Sequence, residues 1–292
     1  MALRFSVLAS GSRGNATLVR SAGVGVLIDV GLGPRALAGR LESVGASWDR
    51  IAGVLLTHTH GDHVGDLALG VMARLGIVLY CHEGHQPELA RLAGFQDLER
   101  KRLVRTYDDR PFLAPTGLRV EPLALYHDGG PTFGFRIEGR GERRSRPAAI
   151  GYLADTGCWS EEAAEALADV DLLGVEFNHD EELQRRSGRS WPLIRRILGD
   201  RGHLSNAQGA ALVSAVLGRS RRGAVRHLVL LHLSQQCNRP ELALGLAREA
   251  VRRAGRRATI HAALQDAAHP DVEVRPGRRH AGAVPGFPWE AA

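Results

Sequence analysis

The chain has 292 residues, of which 44% are hydrophobic and 24% charged. This composition excludes a disordered or fibrous protein and suffices for one large globular core. The net charge is +6, and arginine supplies nearly all of the positive charge because Lys101 is the only lysine. Three cysteines without a CxxC pair exclude a disulfide framework and favour a reducing cytoplasm. No apolar run approaches the roughly 18 residues that span a bilayer, so no membrane partner is expected.

Short apolar strands alternate with amphipathic helices along the chain. Turns join three predicted strands at Arg4–Ala9, Ala16–Arg20 and Val24–Asp29, which precede a helix at Leu37–Val44 and a buried strand at Ile51–Thr57. The other predicted elements are, in chain order, a helix at Val64–Leu75, a strand at Ile77–Tyr80, a helix near Pro87–Ala93, strands at Leu118–Leu123, Phe133–Ile137 and Ile150–Ala154, a helix at Glu161–Leu167, a strand at Asp171–Glu176, a helix at Ser205–Leu217 with Ser205 as its N-cap, a strand at Leu228–Leu231, a helix at Pro240–Ala254 and a strand at Thr259–Ala263.

The strands fall into two batches with helices between them. This order favours one α/β domain over residues 1–267, built as two sheet-and-helix halves. From residue 268 the composition shifts to proline, glycine and arginine, which predicts a loosely ordered tail over residues 268–292.

A predicted strand leads directly into four candidate metal ligands, His58, His60, Asp62 and His63. Imidazole and carboxylate groups together suit zinc, manganese or iron. Alternate residues of an extended chain point the same way, so His58 and His60 can bind one ion together. Asp62 and His63 lie beyond the strand end and can face a second site. Ionisable groups this dense behind buried aliphatic residues are costly unless a cation offsets them, so the pattern predicts a metal centre.

This H-x-H-x-D-H element resembles the signature of the metallo-β-lactamase superfamily of hydrolases, and later motifs recur in the expected order to about Ala263. The resemblance implies an α/β fold of the four-layer αβ/βα sandwich type, with a metal pair at one edge. A hydroxide on two divalent ions, zinc or manganese, would then attack the substrate, and Asp62 could orient it. The ligands that the resemblance implies are His58, His60 and His127 for the first ion, Asp62, His63 and His232 for the second, and Asp155 between them.

Two motifs in the second half resemble the nuclease branch of the superfamily, known from the tRNA 3′-processing ribonucleases. Glu176 ends a predicted strand, and His203 lies just ahead of a predicted helix in Gly-His-Leu-Ser-Asn. In that branch a glutamate orients a histidine that protonates the leaving oxygen, so the resemblance implies catalytic roles for Glu176 and His203 beside Asp62. A positioned acid suits a phosphodiester because its leaving alkoxide has a high pKa.

A narrower resemblance is to the bacterial YycJ/WalJ-like subfamily. It rests on four motifs that occur together, Leu8–Ala16, Asn178–Asp180, Gly202–Asn206 and Leu231–Ser234. Its members are described as metal-dependent 5′-to-3′ DNA exonucleases, which implies a cytoplasmic enzyme with DNA as substrate. Amides of a glycine-containing loop can approach an anion. Clustered arginines agree with a polyanionic partner. The candidate substrate contacts are Ser12, Asn15, Asn178 and His179.

Three alternatives stay open. The first two are an RNase Z-like endoribonuclease and a hydrolase of small cyclic phosphodiesters, which differ from an exonuclease in how far the binding groove extends. The third is a non-catalytic, metal-stabilised regulatory module, which needs the ligands but neither Glu176 nor His203. Zinc and manganese also stay open because oxygen and nitrogen ligands accept both, as do DNA and RNA. No pattern specifies the polarity of digestion or the oligomeric state.

Overall fold

The strands of this protein form two sheets, which a computed structural model shows over residues 2–141 and 146–277. The first sheet contains β1 (Leu3–Ala9), β2 (Ala16–Ser21), β3 (Val24–Ile28), β4 (Ile51–Leu55), β5 (Val78–His82), β6 (Val104–Tyr107) and, from the other end of the chain, β14 (Asp271–Val274). The second sheet contains β7 (Phe112–Leu113), β8 (Arg119–Leu125), β9 (Thr132–Glu138), β10 (Ala149–Leu153), β11 (Leu172–Glu176), β12 (His227–Leu231) and β13 (Thr259–Ala262).

The two sheets share one pattern of strand directions. Their spatial orders are β14-β1-β2-β3-β4-β5-β6 and β13-β12-β11-β10-β9-β8-β7. Strands β1 to β3 and β8 to β10 pair antiparallel, whereas β3 to β6 and β10 to β13 pair parallel. The register places Leu27 beside Val54 in the first sheet and Leu173 beside Leu228 in the second. Parallel pairing brings the carboxyl ends of successive strands to one edge, where α/β sheets place their ligands.

Helices cover the outer face of each sheet. Ser205 caps one of them, since its hydroxyl accepts a hydrogen bond from the Gln208 amide, and proline opens two others at Pro34 and Pro240. No helix in the described residues combines the length and apolar composition needed to cross a bilayer. The helices are α1 (Pro34–Ser43), α2 (Asp66–Leu75), α3 (Gln86–Leu89), α4 (Ala93–Arg100), α5 (Glu161–Ala166), α6 (Glu181–Arg185), α7 (Trp191–Leu198), α8 (Asn206–Arg219) and α9 (Pro240–Arg253), with 3-10 turns at Trp48–Arg50 and Glu83–His85.

Three hydrophobic clusters define four layers. The central cluster lies between the sheets and includes Phe5 from the first and Phe135 from the second. Outer clusters pack Met72 of α2 against the first sheet and Leu212 and Val216 of α8 against the second. Each such side chain contributes about 1.5–3 kcal/mol when it leaves water. The α/β/β/α arrangement confirms the predicted sandwich.

Strand β14 corrects the predicted start of the loose tail. It pairs antiparallel with β1, with Leu3 opposite Val274. The sequence Asp-Val-Glu-Val alternates, so Val272 and Val274 are buried while the acidic residues face outward. Residues 278–292 of the predicted tail lie outside the described residues. The rest of the predicted domain division stays a prediction.

Candidate metal centre

All seven predicted ligands lie at the edge where the parallel strands end. The loop after β4 carries four of them, and the others follow β8, β10 and β12. Together with Glu176 and His203, they bring nitrogen and oxygen atoms close enough to form small sets that could hold metal ions. The sets are His58, His60 and His127; Asp62, His63 and His232; His58, His63 and Asp155; and Asp155 with Glu176, His203 and His232.

The first cluster consists of three imidazoles whose inner nitrogens face one another. Nδ1 of His60 lies 3.0 Å from Nε2 of His58 and 3.2 Å from Nε2 of His127. The outer nitrogen of His127 donates to the carbonyl oxygen of Gly202 at 2.9 Å, and that of His58 lies 3.0 Å from the Thr57 hydroxyl. Burial lowers the pKa of all three histidines and favours the neutral rings that metals bind.

The second cluster mixes carboxylates with imidazoles. Oδ2 of Asp62 lies 3.8 Å from Nε2 of His63 and 3.7 Å from Nε2 of His232. Asp155 stands between these two histidines, 3.1 Å from Nε2 of His63 and 3.4 Å from Nε2 of His232. The two clusters adjoin, since the ring centres of His58 and His63 are 4.1 Å apart. Asp155 therefore contacts the second cluster and lies within reach of the first.

The two clusters differ in the charge that their histidines favour. Burial acts to lower the pKa of His63 and His232, but nearby carboxylates, Asp155 foremost, outweigh it. The pKa of His63 therefore lies well above its usual value, and that of His232 rises to about 10. Burial acts to raise the pKa of Asp155, yet His232 and His63 hold it well below its usual range. The carboxylates thus favour positive charge at this point.

These donors fit divalent cations. In the first cluster, inner nitrogens about 3 Å apart match the separation of two imidazoles on one ion with metal–nitrogen distances of about 2.0–2.1 Å. In the second, the buried Nε2 of His232 has no hydrogen-bond partner among the described residues. A cation there would replace the protons that the carboxylates now attract. The set of nitrogen and oxygen donors suits zinc and manganese alike.

Three residues of the site adopt left-handed backbone conformations that side chains other than glycine rarely occupy. The φ angles are +63° at Asp29, +60° at Asp155 and +54° at His232. Each follows the end of a strand closely, where the chain must turn while its side chain faces the centre. Such conformations cost on the order of 1–3 kcal/mol each and persist where the surrounding structure enforces them.

The ligand loop after β4 requires a close backbone approach. A Cβ on Gly31 would lie 1.7 Å from the carbonyl oxygen of Asp62. That same carbonyl oxygen accepts a hydrogen bond from the backbone amide of Asn15 at 2.7 Å. The backbone amide of Val30 donates to the carbonyl oxygen of His63 at 2.8 Å. Glycine at position 31 therefore lets the preceding strands hold the loop in place.

Glu176 and His203 form a hydrogen-bonded pair beside the second cluster. Nδ1 of His203 donates to Oε1 of Glu176 at 2.7 Å, and the same oxygen lies 3.4 Å from Nδ1 of His232. The other oxygen accepts the Thr156 amide at 2.9 Å. Burial acts to raise the pKa of Glu176, but His203 and His232 outweigh it and lower the pKa to about 2. Glu176 is fully buried, while the His203 side chain is 21% exposed.

A pocket of about 480 Å³ adjoins the centre, and His127, His203 and His232 form part of its wall. Of the four predicted substrate contacts, Ser12 and Asn178 line this pocket.

The other two predicted contacts, Asn15 and His179, do not line this pocket. The Asn15 side-chain nitrogen lies 2.9 Å from Nε2 of His63, so Asn15 supports the ligand loop. His179 is fully buried, and neither of its ring nitrogens has a hydrogen-bond partner within the described residues.

Asp29, which is not among the predicted site residues, lies directly behind His63. Its carboxylate accepts hydrogen bonds from Nδ1 of His63 and from the backbone amide of Thr57, both at 2.8 Å. The side chain is fully buried. A carboxylate behind a metal-binding histidine fixes the ring orientation and its tautomer. The signal was present, because Asp29 follows an apolar strand, as Asp155 and His232 do.

Comparison with known proteins agrees with this geometry. A family model described as a beta-lactamase superfamily domain matches residues 25–233. The protein named exodeoxyribonuclease WalJ from Streptococcus pneumoniae is 30% identical over 244 residues, covering 82% of this chain and 85% of that protein. The protein named ribonuclease Z from Streptomyces coelicolor is 26% identical over 268 residues, covering 78% of this chain and 83% of that protein.

A solved structure shares the fold. The metallo-beta-lactamase fold protein YhfI from Bacillus subtilis superposes with a TM-score of 0.65 at 15% identity, covering 94% of this chain and all of that one. At this identity the likeness concerns the fold alone, and it agrees with the two-sheet sandwich described above.

Proposed function

Because the chain belongs to the beta-lactamase superfamily domain family, we propose that it is a metal-dependent hydrolase of nucleic-acid phosphodiesters, and specifically a 5′-to-3′ DNA exonuclease. The observation that carries the proposal is the Glu176–His203 hydrogen bond beside the seven proposed metal ligands. The likeness to WalJ supports the choice of an exonuclease and of DNA. A cytoplasmic location belongs to the same proposal, since the proposed substrate is DNA.

The proposed ligands divide as the clusters do. His58, His60 and His127 would hold one divalent cation, and Asp62, His63 and His232 a second, with Asp155 between them. Two bound cations would lower the pKa of an attacking water and stabilise negative charge on the phosphoryl oxygens. Asp62, with a side chain 25% exposed, is the ligand able to accept a hydrogen bond from that water and orient it.

His203 would donate the proton that the leaving oxygen needs. Its Nδ1–H bond to Glu176 fixes the ring, so Nε2 is the nitrogen left for proton transfer. The alkoxide that leaves a phosphodiester is strongly basic, so this transfer should contribute about 10²- to 10⁴-fold to the rate.

An endoribonuclease is the second candidate, favoured by the likeness to the protein named ribonuclease Z. Both candidates use the same ligands and the same acid pair, and they differ in substrate. Hydrolysis of small cyclic phosphodiesters and a non-catalytic regulatory role are the remaining alternatives, which one set of substrates can separate.

The decisive experiment strips the protein with a chelator and reconstitutes it with Mn²⁺ or Zn²⁺. Each form is then offered end-labelled single- and double-stranded DNA, RNA, precursor tRNA, a cyclic dinucleotide and a thioester. We expect progressive release of mononucleotides from the 5′ end of DNA in the reconstituted protein and none in the stripped protein.

Other outcomes assign the protein differently. Internal cleavage of precursor tRNA would favour the endoribonuclease, and turnover of the cyclic dinucleotide alone would favour the small-substrate hydrolase. Thioester cleavage alone would refute phosphodiester chemistry. Binding of a nucleic acid without turnover in any metal form would favour the regulatory role.

A further inference from the structure

The pocket beside the metal centre carries a guanidinium whose charge is not neutralised. Arg189 and Gln236 line this pocket together with His203 and His232. Nη2 of Arg189 donates to Oε1 of Gln236 at 2.7 Å. Its Nη1 donates to Oε1 of Gln184 at 3.4 Å. Both acceptors are amide oxygens without formal charge, so they orient the guanidinium and leave its positive charge in place.

Nearby arginines are held differently. Arg185, the last residue of α6, and Arg186, which follows it, form ion pairs with glutamates four residues earlier. Arg196, which shares the pocket, forms an ion pair with Asp128. Within residues 2–141 and 146–277 no carboxylate lies within ion-pair distance of Arg189, which is only partly exposed. Arg189 is therefore available to an anion that enters the pocket.

One of the two residues that hold Arg189 is buried. Gln184 is fully buried, although glutamine seldom is, and its oxygen faces the guanidinium. Gln236 lies four residues after His232, so the segment that carries a proposed metal ligand also positions the arginine. A guanidinium held in this way binds phosphate through two parallel hydrogen bonds at low entropic cost.

We propose that Arg189 binds the phosphate carried by the leaving nucleotide, which makes the pocket a subsite for that nucleotide. This inference rests on the proposed function, because His203 marks the leaving oxygen and shares the pocket with Arg189. A small cyclic diester has no separate leaving nucleotide. The enzyme should therefore favour diesters whose leaving nucleotide carries a second phosphate.

The test uses two thymidine dinucleotides, pTpTp with a phosphate at both ends and TpT with none, so that it is independent of polarity. We expect the reconstituted wild-type protein to hydrolyse pTpTp with the higher kcat/KM. Arg189→Ala should lower kcat/KM for pTpTp by about 10- to 100-fold, the range expected for a charge-assisted hydrogen bond, and that for TpT by much less. For Arg189→Lys, kcat/KM for pTpTp should lie between the values of the wild type and Arg189→Ala, because lysine keeps the positive charge but cannot form two parallel hydrogen bonds to a phosphate.

Arg186→Ala is the matched control, since Arg186 lies on the same segment, pairs with Glu182 and does not line the pocket. It should leave both rates unchanged. Equal losses on the two dinucleotides in Arg189→Ala, or an unchanged preference for pTpTp, would overturn the inference. Thermal melting checks that each variant folds.

Failure of the proposed function gives a different result, in which the wild-type protein hydrolyses neither dinucleotide with either metal. The subsite is then decided by calorimetric binding of pTpTp and TpT. It stands if pTpTp binds more tightly to the wild type and Arg189→Ala removes the difference. It is refuted if the two dinucleotides bind alike.

Discussion

The two halves of the sandwich each place a buried carboxylate behind the histidines of the metal centre. In the first half Asp29, after β3, accepts the outer nitrogen of His63 and the backbone amide of Thr57. In the second half Glu176, at the end of β11, accepts His203 and the amide of Thr156 and lies close to His232. Both side chains are fully buried. A buried carboxylate behind the histidines therefore supports proposed ligands on both sides of the centre.

The partners of the two carboxylates differ. Those of Asp29 are themselves buried, so Asp29 can only fix the position of His63. Glu176 also holds His203, which lines the pocket. Burial raises the pKa of Asp29 although His63 opposes it, whereas the histidines around Glu176 lower its pKa to about 2. We infer that one half positions a ligand and that the other positions a ligand and a proton donor.

The largest expected effect comes from the residue between the clusters. Asp155→Asn removes a charge that faces both His63 and His232, so it should weaken binding of both metals. We expect hydrolysis of DNA to fall by at least about 10³-fold, since electrostatic stabilisation by the metal pair is lost with it. Metal content by mass spectrometry should fall in parallel.

Asp97→Asn is the control for this change, because Asp97 forms an exposed ion pair with Arg100 on α4. It should keep both metal content and activity. An Asp155→Asn protein that retained two metals and normal turnover would remove Asp155 from the centre.

The second-largest expected effect concerns His203, the proposed proton donor, and its partner Glu176. Glu176→Gln and His203→Ala should each lower kcat on DNA by about 10²- to 10⁴-fold, the range for a general acid. His203→Ala should keep its metal content, since His203 is not among the seven proposed ligands. The loss should shrink on bis(p-nitrophenyl) phosphate, because nitrophenolate leaves without a proton. Equal losses on both substrates would show that His203 does not act as the acid.

Asp29→Asn should lower the affinity for metal and leave proton donation unchanged. Loss of the charge behind His63 should weaken metal affinity by about 10- to 100-fold, as for other residues that support metal ligands. At saturating metal, kcat should stay near the wild-type value. Titration of the stripped protein with Zn²⁺ under a competing chelator measures the affinity. A large loss of kcat at saturating metal would contradict the contrast between Asp29 and Glu176.

The sequence indicated most of this centre because each ligand follows an apolar strand. His58, Asp155 and His232 stand where buried backbone reaches an edge, and a charged group there has few purely structural explanations. The role of Asn15 was not predictable from the sequence in the same way. Composition marks the Gly11–Asn15 loop as one that could approach an anion, but which side of the loop faces the pocket depends on its contact with Asp62, distant in sequence.

The fold was predictable to a similar degree. Long apolar strands such as β4 and β12 were located, whereas β6 and β7 were missed because they are short and partly exposed. The short helices α6 and α7, in a segment dense in charged residues, were missed as well. Strand β14 was missed because its pairing partner, β1, lies at the other end of the chain. Arg189 lies in a segment rich in arginine, and only its amide partners in the fold distinguish it from its neighbours.

The smallest expected effect concerns the outer edge of the first sheet, where β14 joins β1. Asp271 accepts hydrogen bonds from Arg4 at 2.9 Å and from Ser6 at 2.6 Å. Burial acts to raise the pKa of Asp271, but these bonds outweigh it and the pKa is lowered. Asp271→Asn should therefore lower the free energy of unfolding at pH 7 by about 1 kcal/mol, measured by urea denaturation.

The pH dependence has a definite sign. A carboxyl group whose pKa is lowered by folding contributes its stability above the unfolded pKa of about 3.9, and that stability is lost as the pH falls through the folded pKa. The difference between wild type and Asp271→Asn should thus be largest near neutral pH and shrink below about pH 4. Asp266→Asn, which removes an exposed ion pair with Arg13, should change stability by less than about 0.5 kcal/mol. If Asp271→Asn were as neutral as Asp266→Asn, the pairing of β14 with β1 would not depend on this ion pair, and burial of Val272 and Val274 together with the strand hydrogen bonds would account for it.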